Sequence, residues 1–148
     1  DVHPRASVLT QLQTQYGALY DEDLDLMEGR QTALNRRKQQ TSTTIEKELV
    51  LGNAEQLRNH LPFIFNKGHE RYGLNFWSDR WVVYAIDCPH LLGPLEHSTI
   101  NQAGQIQCPW HGYRFDIISG ENCTHSGRSL KTAKQVFVRD GEVICHFT

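Results

Sequence analysis

Cys88-Pro89-His90-Leu91-Leu92-Gly93-Pro94-Leu95 and, further on, Cys108-Pro109-Trp110-His111-Gly112-Tyr113-Arg114-Phe115-Asp116 are the stretches on which the reading of this chain turns. Reduced to a skeleton they read C-x-H, seventeen residues, then C-x-x-H. Two thiolates and two imidazoles can share a metal only if two loops bring them together, and each loop here contributes one of each type. Such a set suits tetrahedral Zn²⁺, and it equally suits a [2Fe-2S] centre in which histidines replace two cysteines on one iron. Spacing alone does not choose between them.

Outward from the motif the chain reads as short strands and turns. Glu48 to Leu51, Phe63 to Asn66, Arg71 to Trp77 and Trp81 to Ile86 are expected strands on the N-terminal side, with Ala54 to His60 as a helical turn. Ser78-Asp79-Arg80 joins two of them as a hairpin. Ile106 to Cys108, Tyr113 to Ile117, Gln135 to Arg139 and Val143 to Phe147 follow, with Asp140-Gly141 as a turn that favours left-handed backbone. This is a small antiparallel β domain, and Trp77, Trp81, Tyr84, Ile86, Ile106, Phe115, Val136, Val138 and Ile144 are its expected core.

Residues 7 to about 38 have a different pattern. Leu9, Leu12, Tyr16, Tyr20, Leu24, Met27 and Leu34 recur near the helical period, which predicts one long amphipathic helix with Ser7 as its N-cap. Gly17 and Gly29 cost that helix stability, so it is expected to lean on something through its apolar stripe: its own β domain, a second copy or a further domain. Asp21, Glu22, Asp23, Asp25 and Glu28 read as a solvated face, with a docking surface for a basic partner as the alternative. Arg36, Arg37 and Lys38 complement the dipole at the C-terminal end. Gln39 to Thr44, polar and rich in Thr and Ser, is the expected linker, which divides the chain into a helical extension over 1–45 and a β domain over 46–148.

The 148 residues allow one domain plus an extra segment, and 39% hydrophobic with 22% charged residues is globular composition. A formal net charge of -2 argues against nucleic acid or an anionic membrane as the main partner. No apolar run approaches the roughly 20 residues that span a bilayer, and no signal-peptide core opens the chain, so a cytoplasmic location is expected. Asp1 rather than methionine comes first, which suggests processing or truncation. With two of the four cysteines in the motif, Cys123 and Cys145 are expected to be small buried residues or idle thiols, a bridge between them being the alternative.

The residues around the four donors closely resemble the Rieske family, in C-P-H-x-x-G-x-L and in C-P-W-H-G-Y-R-F-D, and the resemblance spans roughly residues 46 to 148. It implies an antiparallel β sandwich of three small sheets carrying two cluster loops at one tip, preceded here by a long N-terminal helix. It also implies a [2Fe-2S] cofactor, with Cys88 and Cys108 on the buried iron and His90 and His111 on the outer one. Pro89 and Pro109 would stiffen the loops, Gly93 and Gly112 would allow close approach or a sharp turn, and Trp110 with Leu91 or Leu92 would shield the cluster from water. High-potential respiratory members carry an extra loop cysteine pair and hydroxyl donors; at the corresponding Gly93, Trp110, Tyr113 and Phe115 those features are missing. A potential near the low end of the roughly -150 to +300 mV range is therefore expected.

The implied function is one-electron transfer between a reductase and an oxygenase-like acceptor, with His90 and His111 as the docking end. His3, His60, His69, His97, His125 and His146 are scattered without a metal-binding helix spacing, and of these His97 and His125 fall near the motif. No catalytic residues of the chain's own are expected. Glu22 to Gln31, however, resembles the last helix of the oxygenase catalytic domain, so the alternative is a C-terminal Rieske domain of a longer oxygenase whose catalytic domain lies upstream. A weaker alternative is the small subunit of a nitrite-reductase-like complex.

Overall fold

A computed structural model describes residues 4–39, 48–124 and 126–147. Helix α1 spans Pro4–Gln39. After it come β1 (Glu48–Asn53), α2 (Ala54–Arg58), β2 (Phe63–Lys67), β3 (Glu70–Trp77), β4 (Arg80–Ala85), β5 (Gln105–Gln107), β6 (Arg114–Asp116), β7 (Gln135–Arg139) and β8 (Glu142–His146). They form three antiparallel sheets, ordered β1-β8-β7, β2-β3-β4 and β5-β6. This is the expected Rieske-type sandwich with its helix in front.

Local chemistry accounts for the elements. Ser78 and Asp79 both have positive φ (48° and 60°), so the β3–β4 hairpin turns in two residues and Arg80 already pairs with Trp77. Asp140 and Gly141, at 52° and 79°, turn β7 into β8 in the same manner. Asn53 closes the start of α2, its side-chain oxygen accepting from the backbone N–H groups of Glu55 and Gln56 at 3.0 and 3.1 Å.

The core lies where the three sheets meet. Leu74, Ile106, Phe115 and Val143 have no solvent exposure, and Tyr84, Ile86 and Ile144 are also buried. Trp77, Trp81 and Val136 pack against it half-buried. Gly120 marks the tightest place: its φ is +76° and a Cβ there would stand 2.0 Å from the carbonyl oxygen of Leu130, so no side chain fits.

Three expectations are corrected. Val138 is 46% exposed rather than core: it shares the face of Val136 on the edge strand β7, but the covering of that face ends before it. Ser7 lies inside α1 instead of capping it, since Pro4 is already helical; proline is tolerated in a first turn, where its missing N–H has no partner to lose. Of the three partners expected for the stripe of α1, its own β domain does not cover it: Tyr16, Leu24 and Met27 are exposed, Leu34 is half-buried, and among the described residues of the helix Ala33 is the buried one. Side chains of Leu9, Leu12, Tyr20 and the Arg36–Lys38 run lie outside the described residues, as do residues 40–47, which contain most of the expected linker and the boundary at 45/46. Among the described residues no helix is long and apolar enough to cross a membrane.

Candidate metal centre

Two loops of the same construction leave the sheets at one end. In the first, the Cys88 N–H donates to the Gly93 carbonyl at 2.8 Å and the Leu92 N–H to the Cys88 carbonyl at 2.8 Å. In the second, the Cys108 N–H donates to the Tyr113 carbonyl at 2.8 Å and the Gly112 N–H to the Cys108 carbonyl at 3.0 Å. The fourth residue after each cysteine is left-handed, Leu92 at φ +64° and Gly112 at +73°. Gly112 thus serves the turn as expected. Gly93 serves close approach instead: a Cβ on it would stand 2.7 Å from Cys108 Sγ and 3.1 Å from the Trp110 indole.

β4 delivers the first loop through Ile86, whose carbonyl accepts from the Leu95 N–H at 2.8 Å. Asp87, buried at the foot of that loop, faces Arg71 of β3 at 3.7 Å, and the same guanidinium donates to Glu96 at 2.8 Å. The β5–β6 ribbon holds the second loop, with Ile106 opposite Phe115 in the core.

The structure brings all four motif side chains together in two pairs. Cys88 and Cys108 are buried, at 1% and 2% exposure, and their thiols lie close enough for each to shift the other's titration. His90 and His111 are exposed, with ring centroids 5.0 Å apart and planes at 88°. The backbone N–H groups of His90 and Leu91 lower the Cys88 thiol and those of Trp110 and His111 lower the Cys108 thiol. The thiol pair shares a proton: the hydrogen bond from Cys88, then the backbone donors, lowers Cys108 to about 6 against the effect of burial, while the same bond and burial push Cys88 up. Buried sulfur that is hydrogen-bonded by backbone dipoles is suited to carrying thiolate charge.

Sequence reading missed two contacts. The Tyr113 ring stacks on His90, centroids 4.4 Å apart and planes at 26°, so the second loop braces the imidazole of the first. Trp110 packs against α1 at Gly29, where a Cβ would stand 3.2 Å from the indole. An aromatic residue beside a ligand signals packing but not its target. A glycine inside a helix, costing about 1 kcal/mol relative to alanine, was the available signal for the second. Leu91 and Leu92 line a groove beside His90 together with Arg30 and Leu34 of α1. His97 lies on a shallow groove with Cys108, Pro109 and Gly112; His3 and His125 are outside the described residues. Cys123 is exposed and Cys145 buried, both as free thiols, so no bridge joins them.

The family model for the Rieske [2Fe-2S] domain matches residues 26–122, more than half of the chain. A flavonoid 8-hydroxylase 2 of Ocimum basilicum, named as chloroplastic, is 35% identical over 71 residues, which is 43% of this chain and 14% of that protein. Among solved structures, the ferredoxin of carbazole 1,9a-dioxygenase from Nocardioides aromaticivorans IC177 superposes with a TM-score of 0.59 at 18% identity, covering 70% of this chain and 100% of that one. A protein described as a nitrite reductase NADPH small subunit does so at 0.57 and 17%, covering 68% and 98%. At such identities these two show a shared fold.

The residues present fit a two-iron group. Two pairs of donors, one of sulfur and one of nitrogen, are what a [2Fe-2S] centre with two histidines on one iron requires. Motif, fold, donor set and family match agree: the chain belongs to the Rieske [2Fe-2S] domain family.

Proposed function

We propose that this chain passes single electrons between a reductase and an oxygenase-like acceptor, with Cys88 and Cys108 holding the inner iron of the cluster and His90 and His111 the outer one. The observation that carries the reading is the opposite burial of the two pairs: sulfurs 1% and 2% exposed, imidazoles at the surface. When bound, the cluster supplies a one-electron couple. The protein's own part is to keep water from the sulfurs with Trp110, to fix the plane of His90 with Tyr113, and to present both imidazoles where an electron has the shortest way out. Residues 46–148 form the electron-carrying domain and 1–45 an extension, whose helix α1 meets the cluster tip at Gly29.

The loops carry no hydroxyl at Gly93, Trp110 or Phe115 to add a hydrogen bond at the sulfurs, and Phe115 lies in the core. Few donors stabilise added charge weakly, so the potential belongs near the low end of the family's range. An iron and sulfide assay on anaerobically prepared protein, followed by a redox titration, tests both points. The expected result is two irons and two sulfides per chain, with a midpoint well below +100 mV; less than about one of each defeats the ligand assignment.

A second reading has its own support. The matched hydroxylase is 35% identical, and this chain spans 14% of its length. In this reading the chain is the Rieske module of a longer oxygenase, with a catalytic domain upstream. Extending the reading frame beyond Asp1 distinguishes the two. A place of action in the cytoplasm, as against a plastid like that of the matched plant protein, is settled by localising the full-length product.

A further inference from the structure

Trp110 is approached closely by two glycines. Cβ atoms built on Gly93 of the first loop and on Gly29 of α1 would stand 3.1 to 3.3 Å from carbons of its indole. Ala33, one turn beyond Gly29, is 5% exposed. Small residues one turn apart let the helix backbone approach the cluster tip, and they fix its rotation. Arg30 is thereby carried into a groove of about 540 Å3 that His90 also lines.

Arg128 and Lys131 form part of the other wall. Four cations line this groove, Arg30, Arg71, Arg128 and Lys131, against the carboxylates of Glu70 and Asp87. Arg71 is engaged with Asp87 and Glu96, and Lys131 with Glu70. Arg30 and Arg128 are both exposed, and neither has an ion-pair partner among the described residues. Glu28 precedes the contact and does not line the groove. Positive charge therefore stands in excess beside the exposed imidazole of a chain whose formal net charge is -2.

We propose that α1, fixed by the close approach of Gly29 to Trp110, and the 128–131 segment together form a cationic docking face beside His90 that receives an acidic surface of a protein redox partner. The inference rests on the reading of His90 as a cluster ligand at the electron exit. Complementary charge there orients a partner before the electron moves and raises the encounter rate.

The test uses the full chain, reduced with dithionite and mixed in a stopped flow with hexacyanoferrate(III) or with hexaamminecobalt(III). In each reaction one electron leaves the protein and reduces one Fe(III) or Co(III) to the divalent state. The anionic oxidant should react faster as ionic strength is lowered from 0.1 to 0.01 M, where the screening length grows from about 10 to about 30 Å. Arg30→Glu with Arg128→Glu should slow the anionic reaction by about tenfold at low salt and speed the cationic one. Gly29→Val, which lifts the helix, should move the rates in the same direction, while Gly17→Ala, with nothing within 4 Å of its Cβ, should not. Independently of electron transfer, calorimetric titration of the oxidised protein with poly-L-glutamate should show binding that the double charge reversal abolishes.

Unchanged rates and unchanged polyglutamate binding in a double variant that holds its cluster overturn the docking face alone. A wild-type protein without the cluster spectrum overturns the site reading instead. Sedimentation as a dimer that Arg30→Glu dissociates gives the groove to a second copy and also overturns the proposal. If the double reversal does not fold, Arg30→Gln with Arg128→Gln is expected to give a smaller loss in the same direction, and no loss overturns it.

Discussion

Gly93→Ala is the most exacting single-methyl test of the cluster tip. The added Cβ would lie 2.7 Å from Cys108 Sγ and 3.1 and 3.2 Å from two indole carbons of Trp110. Carbon atoms in good contact are about 3.5 to 4.0 Å apart, so relief requires a shift of roughly an ångström. That shift falls on the sulfur, on Trp110, or on the loop that Gly93 closes through its carbonyl's bond to the Cys88 N–H. Overpacking of this kind costs about 1 to 3 kcal/mol, which is roughly five- to 150-fold in an equilibrium constant. A metal site tolerates only about 0.2 Å in its ligand distances, so the loss should appear more in cluster retention than in folding of the sheets. The assay compares wild type, Gly93→Ala and Gly17→Ala for visible absorption per chain, for the rate of iron loss to a chelator, and for thermal midpoint. A Gly93→Ala protein with full iron, wild-type chelation kinetics and an unshifted midpoint would refute the close approach on which the site is built.

Phe115→Ala empties a position with no solvent exposure between the β5–β6 ribbon and the core, and should cost about 3 to 5 kcal/mol in urea unfolding; a loss below about 1 kcal/mol is incompatible with that burial. Burial alone would raise the Asp116 carboxyl, but backbone N–H groups of Ser119 and Ile118, donating at 2.7 and 2.8 Å, hold it below its ordinary 3.8. A lowered acid contributes stability that is present above its unfolded value and lost as pH falls through its folded one. The advantage of wild type over Asp116→Asn in thermal midpoint should therefore shrink between pH 6 and pH 3; an advantage that grows on acidification contradicts the assignment. Burial pushes the Cys145 thiol up to about 11, whereas Cys123 is exposed. Iodoacetamide at pH 8 should accordingly label Cys123 in the native protein and Cys145 only after denaturation, as mass mapping of the labelled peptides will show.

What could be read in advance followed from local rules. The two loops carry the motif cysteines and histidines at fixed offsets from turn-forming residues, and Asp140-Gly141 and the β3–β4 hairpin announce themselves by residues that accept positive φ. The pattern of α1 misled because periodicity finds large apolar side chains, while this helix makes its contact with the smallest ones, Gly29 and Ala33. Val138 misled for a related reason: alternation sets it on the same face as Val136, but toward the end of an edge strand that face is no longer covered. Neither the stacking of Tyr113 on His90 nor the convergence of Arg30 with Arg128 has a signature in spacing, since each joins residues set by the packing of distant segments.

The bracing of His90 by Tyr113 has one more consequence. Each loop supplies a wall for the other: the ring from the second lies along the imidazole of the first, and Gly93 of the first lies against the cysteine and tryptophan of the second. Substitutions on opposite loops should then fail to add. A thermodynamic cycle of Gly93→Ala with Tyr113→Leu should close with an interaction energy of about 0.5 kcal/mol or more, marking the two loops as one cooperative unit.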